Sequence, residues 1–339
     1  MRSTLPIIRL AAGLGLLAGL AFAQAPGPAA KVVFKIASVS PENHVSGQTF
    51  KAIAAEVAKA TGGEVSFKFY LGGVQGDEAA ILRKLRIGQL DGAAFTARGM
   101  SGLCPDALVM QLPLLFRTDA EADTVFAKLE PELETECRRN GHEVLGWPRI
   151  GFNYLFSRDP VHNLGEVRAA KPWLVADDLF SQTLFEAANI SGVTLGVGDV
   201  LPGLRSGLVR TVFAPPLVSV AMQWHSMLRY RLDLRLGYSF GALFVAKKKW
   251  DRLSPETQAK ILAICRRQID GLTVKLADQN REALAVMQDN GLQTITPTPE
   301  AVNEFSALTE QVSNRLVGKA FNVAAWKRTE ALLRELRKP

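Results

Sequence analysis

Strand-like segments alternate with helical segments along most of this 339-residue chain, and that order limits the fold more than any other feature. Lys31 to Ala37 is apolar and β-branched, as a buried strand is, and residues at helical spacing follow it up to Thr61-Gly62-Gly63. A period-two strand over Val65 to Phe69, a helix from Asp77 to Ile87 and a strand from Leu90 to Thr96 come next. Alternation of this kind predicts a mostly parallel sheet covered by helices.

The second part of the chain repeats the alternation. A helix starts at Thr118, a capping residue with Glu121 three positions later, and runs toward Arg139. The predicted strands are Trp173 to Ala176, Val193 to Val197, Thr211 to Ala214 and Leu243 to Ala246, the last of which returns to the first sheet. Two further helices are predicted, from Asp177 to Asn189 and from Pro216 to Tyr230.

One long helix follows these two strand-and-helix units. Ser254-Pro255-Glu256 is a strong helix start, and no breaker occurs before Gly291. A helix of that length spans about 50 Å at 1.5 Å per residue, enough to brace two lobes. We therefore predict an α/β, bilobal fold with two α/β lobes, a central cleft and a long bracing helix. Residues 31–155 and 243–285 are expected in lobe I, and residues 156–242 and 286–339, including a helix from Thr298, in lobe II.

The first residues resemble an export signal. Arg2 and Arg9 form a positively charged region before an apolar run from Leu10 to Phe22, and Ala21-Phe22-Ala23 matches the small-x-small cleavage pattern. Residues 1–23 are therefore predicted to be a cleaved signal peptide, and residues 24–30 a flexible leader. A retained anchor helix is the alternative, although the run is short for a membrane span. We expect a soluble, periplasmic mature protein. An exported α/β chain with two lobes and a central cleft has the fold of a bilobal periplasmic binding protein, which closes on its ligand by a hinge motion.

Charge and composition exclude several classes of protein. The chain is 47% hydrophobic, which argues against disorder. Loss of Arg2 and Arg9 lowers Lys plus Arg from 40 to 38 against 33 Asp plus Glu, so the mature charge is +5. This charge is spread out, and no basic stripe interleaved with aromatic residues occurs, so we expect no nucleic-acid partner. The three cysteines, Cys104, Cys137 and Cys265, allow one disulfide of undetermined pairing or three buried thiols.

Motifs of catalysis are missing from the sequence. The four histidines, His44, His142, His162 and His225, are isolated, and no HExxH zinc motif occurs. Neither a GxSxG nucleophile motif nor a GxxxxGK[ST] phosphate loop is present. We therefore predict a binding protein rather than an enzyme, with no cofactor and no metal.

An ordered series of segments carries a resemblance to a known family. The segments are Lys31–Ser38, Leu71–Gly73, Ala79–Leu85, Gly88–Asp91, Leu112–Arg117, Gly141–Trp147 with Gly151-Phe152, and Val245–Lys260. In this order, over about residues 31–275, the chain resembles the DctP-like solute-binding subunits of TRAP transporters. The resemblance implies two α/β lobes, a long bracing helix and delivery of a small-molecule solute to membrane permease subunits. We expect the chain to be a monomer or dimer.

The chain departs from the family's ligand-anchoring pattern. Trp173 stands where the resemblance places an arginine that holds an organic-acid carboxylate, and Asn153 stands where a second arginine is expected. Ala214 takes the place of a ligand-contacting asparagine, Arg210 that of an aspartate, and Phe213 lies between them. Exchange of guanidinium for indole removes a bidentate partner and adds an apolar plane. These changes predict a cleft that is more apolar than is usual in the family.

Two alternatives remain open at this stage. Trp173 could pack in the core of its lobe while another arginine, Arg98, Arg149 or Arg210, binds a carboxylate. The second alternative is that the chain is a scaffold or sensor-partner protein without a transported ligand.

Further ligand-binding candidates come from their positions in the predicted elements. Asn43 and His44 follow the first strand, although helix capping explains them equally well. Phe95 and Arg98 lie at the end of the third strand, where open α/β sheets bind ligands. Trp224 lies on the helix predicted after Pro216, with a place in the core as the alternative.

Overall fold

The computed structural model describes residues 32–176 and 178–338, so the predicted signal peptide and leader lie outside the described residues. The elements up to the first lobe crossing are β1 (Val32–Ser38), α1 (Val45–Ala60), β2 (Val65–Tyr70), α2 (Glu78–Arg86), β3 (Gly92–Thr96), α3 (Ala97–Met100), α4 (Asp119–Arg139), β4 (His142–Gly146) and β5 (Arg149–Ser157). Those that follow are α5 (Leu164–Ala169), β6 (Trp173–Val175), α6 (Leu179–Ala187), β7 (Val193–Leu195), α7 (Val200–Ser206), β8 (Thr211–Ala214) and α8 (Pro216–Ala221). The chain ends with β9 (Tyr230–Ala246), α9 (Lys247–Trp250), α10 (Pro255–Asp289), β10 (Gln293–Ile295), α11 (Pro299–Leu316) and α12 (Val323–Leu336). Short 3-10 helices cover Pro105–Gln111, Val197–Asp199 and Trp224–Met227.

The sheet of the first lobe has a parallel half and an antiparallel half. Strands β2, β1 and β3 are parallel neighbours, with Ile36 paired to Phe69 on one side and to Gly92 on the other. The end of β9 then pairs antiparallel with both β3 and β4. Phe34 and Ile36 of β1 are fully buried, as the apolar run in this part of the sequence predicts.

The second lobe is built on the start of β9. Strand β5 runs antiparallel to β9 on one side and to β8 on the other, and β10 adds in parallel to β9. The short parallel pair of β6 and β7 continues this layer, because Pro172 forms an isolated bridge to Thr211 of β8.

Strand β9 corrects two predictions. It is a single 17-residue strand that takes part in both sheets, whereas the sequence predicted a helix up to Tyr230 and a strand only from Leu243. The predicted helix ends as α8 at Ala221. Because β9 is antiparallel to β3, β4 and β5, the sheets are mixed rather than mostly parallel. The buried residues Leu232, Leu236, Tyr238 and Phe240 recur at even spacings, the period of a strand.

The strand that enters the second lobe bends at a glycine. Gly151 of β5 has φ of +121°, a conformation that side-chain-bearing residues rarely adopt. The pairing with β9 shifts register between Arg149 and Gly151, and a Cβ at Gly151 would lie 3.2 Å from the Asn280 amide nitrogen. This β-bulge places the crossing strand against the long helix.

Helix α10 braces the two lobes as predicted. Its 35 residues begin at Pro255, where the Ser254 hydroxyl accepts the Thr257 amide N–H at 3.2 Å. Ile261 and Ile269 pack in the core of the first lobe, and Met287 packs with Phe156 in that of the second. Between these ends, the Asn280 side chain donates to the Ile150 carbonyl at 2.6 Å and accepts from the Leu217 N–H at 3.0 Å. The helix is thus tied to both lobes and to the crossing strand.

The last two helices differ in the cores that they contact. Phe305 and Leu308 of α11 pack in the core of the second lobe, whereas Val312 and Leu316 further along the same helix belong to the core of the first. Helix α12 differs from the expectation, because its Leu332 and Leu333 share a core with Phe126 of α4 in the first lobe. The amphipathic pattern of α12 shows that one face is buried but not which lobe it is buried against, so the tertiary structure alone decides its position.

The structure selects one pairing of the cysteines. Cys104 and Cys137 form a disulfide with Cα atoms 5.0 Å apart, which joins the segment after α3 to the end of α4. Cys265 on α10 is a free thiol and is buried. Within residues 32–176 and 178–338, no helix combines the length and the hydropathy of a membrane span.

Candidate ligand-binding cleft

A cavity of about 630 Å³ lies between the two lobes. Residues at the carboxyl ends of four strands reach its wall: Val39 after β1, Thr96 of β3, Val175 of β6 and Ala214 of β8. The floor comes from the crossing strands, with Asn153 of β5 and Gly237 to Phe240 of β9. Carboxyl ends of strands are where open α/β sheets bind ligands, so this interlobe cavity is the candidate binding site.

Aromatic side chains form the wall in the second lobe. The rings of Trp173 and Trp224 meet edge to face with centroids 5.2 Å apart, and those of Phe185 and Phe213 do so at 5.9 Å. Phe180 and Tyr238 of β9 also line the cavity, and both pack against the core of the first lobe. Aromatic pairs in this geometry hold one another in place, and the cavity therefore has a firm apolar wall.

Trp173 belongs both to the core of its lobe and to the cavity wall. It is only 5% exposed and packs with Val200 and Leu204. Its indole N–H donates to the Leu195 carbonyl at 3.0 Å, so its hydrogen-bonding group is already used within the protein. Trp173 therefore presents only apolar ring surface to the cavity, in the region where the resemblance placed a carboxylate-binding arginine.

Asn153 brings a polar group to the floor. Its side-chain oxygen accepts a hydrogen bond from the Ser239 hydroxyl at 3.0 Å, and both residues line the cavity. This pair joins β5 to β9 and fixes the orientation of the amide. The structure thus brings six of the predicted candidates to the lining of one cavity: Trp173, Asn153, Phe213, Ala214, Arg98 and Trp224.

Glu78 is the most buried charged group of the wall, at 8% exposure. Its carboxylate accepts hydrogen bonds from the backbone N–H of Thr96 at 2.6 Å and from the Thr96 hydroxyl at 2.8 Å. Burial raises the pKa of Glu78, while the hydrogen bonds from Thr96 and the nearby charge of Arg98 act in the opposite direction. The neighbouring Asp77 caps α2 by accepting the Ala80 N–H at 2.8 Å.

A further carboxylate faces the cavity from the second lobe. Asp178 caps α6 by accepting the Ser181 N–H at 2.8 Å and the Ser181 hydroxyl. Both Asp178 and Ser181 line the cavity. The sequence analysis did not select Asp178 or Phe180, although their position just after β6 was the available signal.

Two of the three arginines considered for a carboxylate lie elsewhere. Arg210 pairs with Asp159 through two hydrogen bonds of 2.6 Å, just before β8. Arg149 pairs with Asp123 at 2.7 Å and lines a separate cavity of about 300 Å³ beside α10. Of these three, Arg98 alone lines the interlobe cavity among the residues that the structure describes.

Three other candidates also lie outside the described lining. His44 caps α1, where its ring nitrogen accepts the Ser46 N–H at 3.3 Å, and burial lowers its pKa. Asn43 lies beside it, and its carbonyl accepts from the Gln48 side chain at 3.2 Å. Phe95 is buried against Gly99 in the core of the first lobe. Alternation along β3 sends its side chain away from the wall that Thr96 lines.

The fold and the cleft together define a class. An extracytoplasmic solute-binding protein has this architecture, with two α/β lobes, crossing strands and a bracing helix around an interlobe cavity. Among the described residues, no group of three or more His, Cys, Asp and Glu side chains is arranged to hold a metal ion.

The comparison with protein families identifies the particular group. The family described as bacterial extracellular solute-binding protein, family 7 (DctP), matches residues 36–319, and the chain belongs to this family. Its members are periplasmic receptors, which agrees with the resemblance seen in the sequence.

Two related proteins are similar to this chain in sequence. The chain is 22% identical over 261 residues to the 2,3-diketo-L-gulonate-binding periplasmic protein YiaO of Escherichia coli, covering 76% of this chain and 78% of that one. It is 26% identical over 174 residues to a solute-binding protein of Chromohalobacter salexigens. That match covers 51% of this chain and 52% of the relative, so the chain spans about half of that relative's length.

Solved structures confirm the fold. A TRAP periplasmic solute-binding protein from Ochrobactrum anthropi, with its C-terminus bound in the ligand-binding pocket, superposes with a TM-score of 0.81 at 22% identity over 91% of this chain and 96% of that one. One from Xanthobacter autotrophicus with bound β-D-galacturonate gives 0.78 at 17% identity over 88% and 98%. A Bordetella pertussis receptor binding pyroglutamic acid gives 0.78 at 15% identity over 89% and 99%.

Proposed function

We propose that this protein is the solute receptor of a TRAP-type secondary transporter. It captures a small molecule in the interlobe cavity and delivers it to membrane permease subunits. We further propose that the ligand is more apolar than the sugar acids and other organic acids bound by its structural relatives. Trp173 carries this second proposal, because a buried indole with its N–H already bonded stands where a carboxylate-binding arginine is expected.

The size of the opposing effects supports an apolar ligand. An arginine fork contributes two charge-assisted hydrogen bonds, each worth about 1.5–3 kcal/mol. Burying about 150 Å² of aromatic ligand surface contributes roughly 4 kcal/mol at 25 cal/mol per Å². Contact with an aromatic wall can therefore supply much of the binding free energy that an arginine would contribute.

A specific observation favours a second candidate. Arg98 follows β3 in the first lobe and lines the interlobe cavity. A receptor for carboxylates with a relocated arginine would use this residue.

Native mass spectrometry of the exported protein, followed by extraction of the co-purified ligand, tests the proposal. The expected ligand has an aromatic or aliphatic body. Recovery of a uronate or dicarboxylate would contradict the apolar ligand and favour the Arg98 alternative. If no solute in a broad panel raised the melting temperature, a scaffold without a transported ligand would be favoured instead.

A further inference from the structure

Most of the charged side chains that line the interlobe cavity are negative, whereas a receptor for organic acids needs positive side chains there. Three carboxylates, Asp77, Glu78 and Asp178, line the interlobe cavity together with one cationic side chain, Arg98, among the residues that the structure describes. Asp77 and Asp178 cap helices α2 and α6, whose N-terminal dipoles each offset about half a charge. About one negative charge therefore remains on the described wall.

From this wall we infer that the receptor takes a cationic ligand, an organic amine bound as its ammonium ion with an aromatic or aliphatic body. The inference rests on the proposed function, because it assigns the charge of the ligand in the same cavity. The ammonium ion would lie near Glu78 and Asp178, and the apolar body against the aromatic wall.

The carboxylates come from both lobes, which gives an ammonium ion a partner on each side of the cleft. Glu78 begins α2 in the first lobe, and Asp178 precedes α6 in the second. Both hydrogen bonds that Asp178 accepts from Ser181 end on Oδ2, and within the described residues Oδ1 accepts none. An ionised carboxylate has about four acceptor positions, so Asp178 keeps acceptor capacity for a ligand N–H.

The aromatic wall suits a cation as well as an apolar body. Trp173, Trp224 and Tyr238 line the same cavity as the carboxylates. The faces of such rings attract ammonium groups, most strongly where water is excluded. A carboxylate ligand would instead be repelled by any ring face that it met and, on the first lobe, by Glu78 beside Arg98.

Three probes with one ring system isolate the effect of ligand charge. Isothermal titration calorimetry at pH 7 would compare tryptamine, which is cationic, with neutral tryptophol and anionic indole-3-acetate. The expected order of affinity is tryptamine first, about tenfold above tryptophol, with indole-3-acetate weakest. Tighter binding of indole-3-acetate, or no binding by any of the three, would overturn the inference.

The result also separates this inference from the proposed function. If tryptophol or indole-3-acetate bound best, the apolar cavity would stand and only the ligand charge would be wrong. If none of the three bound while galacturonate did, the apolar ligand itself would be contradicted.

Charge-neutralising variants assign the effect to the two carboxylates. Asp178→Asn keeps a helix-capping side chain, and Glu78→Gln keeps an acceptor for Thr96. Each is expected to reduce tryptamine affinity by about tenfold and tryptophol affinity far less, because tryptophol carries no charge. Glu42→Gln is the matched control, since Glu42 is an exposed carboxylate that pairs with Lys51 outside the described lining. Equal loss for tryptamine and tryptophol in Asp178→Asn, or an equal effect of the control, would contradict a charge-specific role.

Discussion

Trp173 and Trp224 meet edge to face in the second lobe, with ring centroids 5.2 Å apart and an interplanar angle of 73°. Trp224 is 1% exposed and Trp173 5%, yet both rings line the interlobe cavity. The core of the lobe and the wall of the cleft are therefore one structure. A substitution at Trp173 must be tested for stability and for binding separately.

Trp173→Ala is expected to lower the free energy of unfolding by about 3–5 kcal/mol, because it empties a packed site and leaves the Leu195 carbonyl without its donor. Trp173→Phe keeps a ring and should lose less. Urea unfolding followed by circular dichroism measures both. A loss below 1 kcal/mol for Trp173→Ala would show that the indole is not part of the core.

Arg98→Gln separates the two ligand classes. If an apolar amine is the ligand, removing this positive charge from the wall should leave its affinity unchanged or increase it. If a carboxylate is the ligand, the affinity should fall at least tenfold. Calorimetric titration with the ligand recovered from the native protein distinguishes the two results.

Arg210→Gln is the control for that experiment. Arg210 is bonded to Asp159 outside the described cavity lining, so its loss should not alter ligand affinity. Since this pair is partly exposed, the free energy of unfolding should change by only about 1 kcal/mol or less. A large effect on binding would mean that the lobes close in a way that brings Arg210 to the ligand.

Breaking the Cys104–Cys137 disulfide should destabilise the first lobe. The two cysteines are 33 residues apart, and closure of a loop of that length is worth about 3–4 kcal/mol in the chain-entropy model. The double variant Cys104→Ala, Cys137→Ala should therefore unfold at markedly lower urea concentration. An unchanged midpoint would contradict the disulfide.

Cys265 supplies the matched comparison within the same lobe. Burial raises the pKa of its thiol, so alkylation of the native protein by iodoacetamide should be negligible. In urea, one thiol per chain should react. Three reactive thiols without reductant would show that Cys104 and Cys137 are not bonded.

Stability should depend on pH through Glu136. Burial and the negative charge of Asp106 raise the pKa of Glu136 to about 7, above its ordinary value of 4.5. A carboxyl with a raised pKa stabilises the fold in its protonated form, so this contribution is complete below pH 4.5 and is lost as the pH rises through 7. The free energy of unfolding should therefore contain a component that decreases over this range.

Glu136→Gln should remove that component. The affected contacts include the Asp106 N–H, which Glu136 accepts at 3.1 Å, and Asp106 in turn accepts the Asn322 N–H at 2.7 Å, just before α12. Urea unfolding at pH 5, 6 and 7.5 in wild type and variant measures the difference. Parallel pH profiles for the two proteins would contradict the assignment.

Local chemistry in the sequence is enough to predict many of the elements. The hydroxyl of Ser254 and the following proline predict the start of α10, and Gly291 predicts its end, because helix termini need such residues within a few positions. The order of the predicted strands and the family segments likewise lead to two lobes and a long brace. The prediction fails at β9, where the length of the strand depends on pairing with β3, β4 and β5 from distant parts of the chain.

The sequence by itself determined that a tryptophan stands where the family's arginine is expected, and that the chain has the elements of a binding protein. Only the tertiary structure decided which charges face the cleft. Arg149 and Arg210 are paired with Asp123 and Asp159, whereas Glu78 and Asp178, 100 positions apart, line one cavity. Ion pairs and cavity walls join residues that are distant in the chain, and no pattern of neighbouring residues encodes those distances.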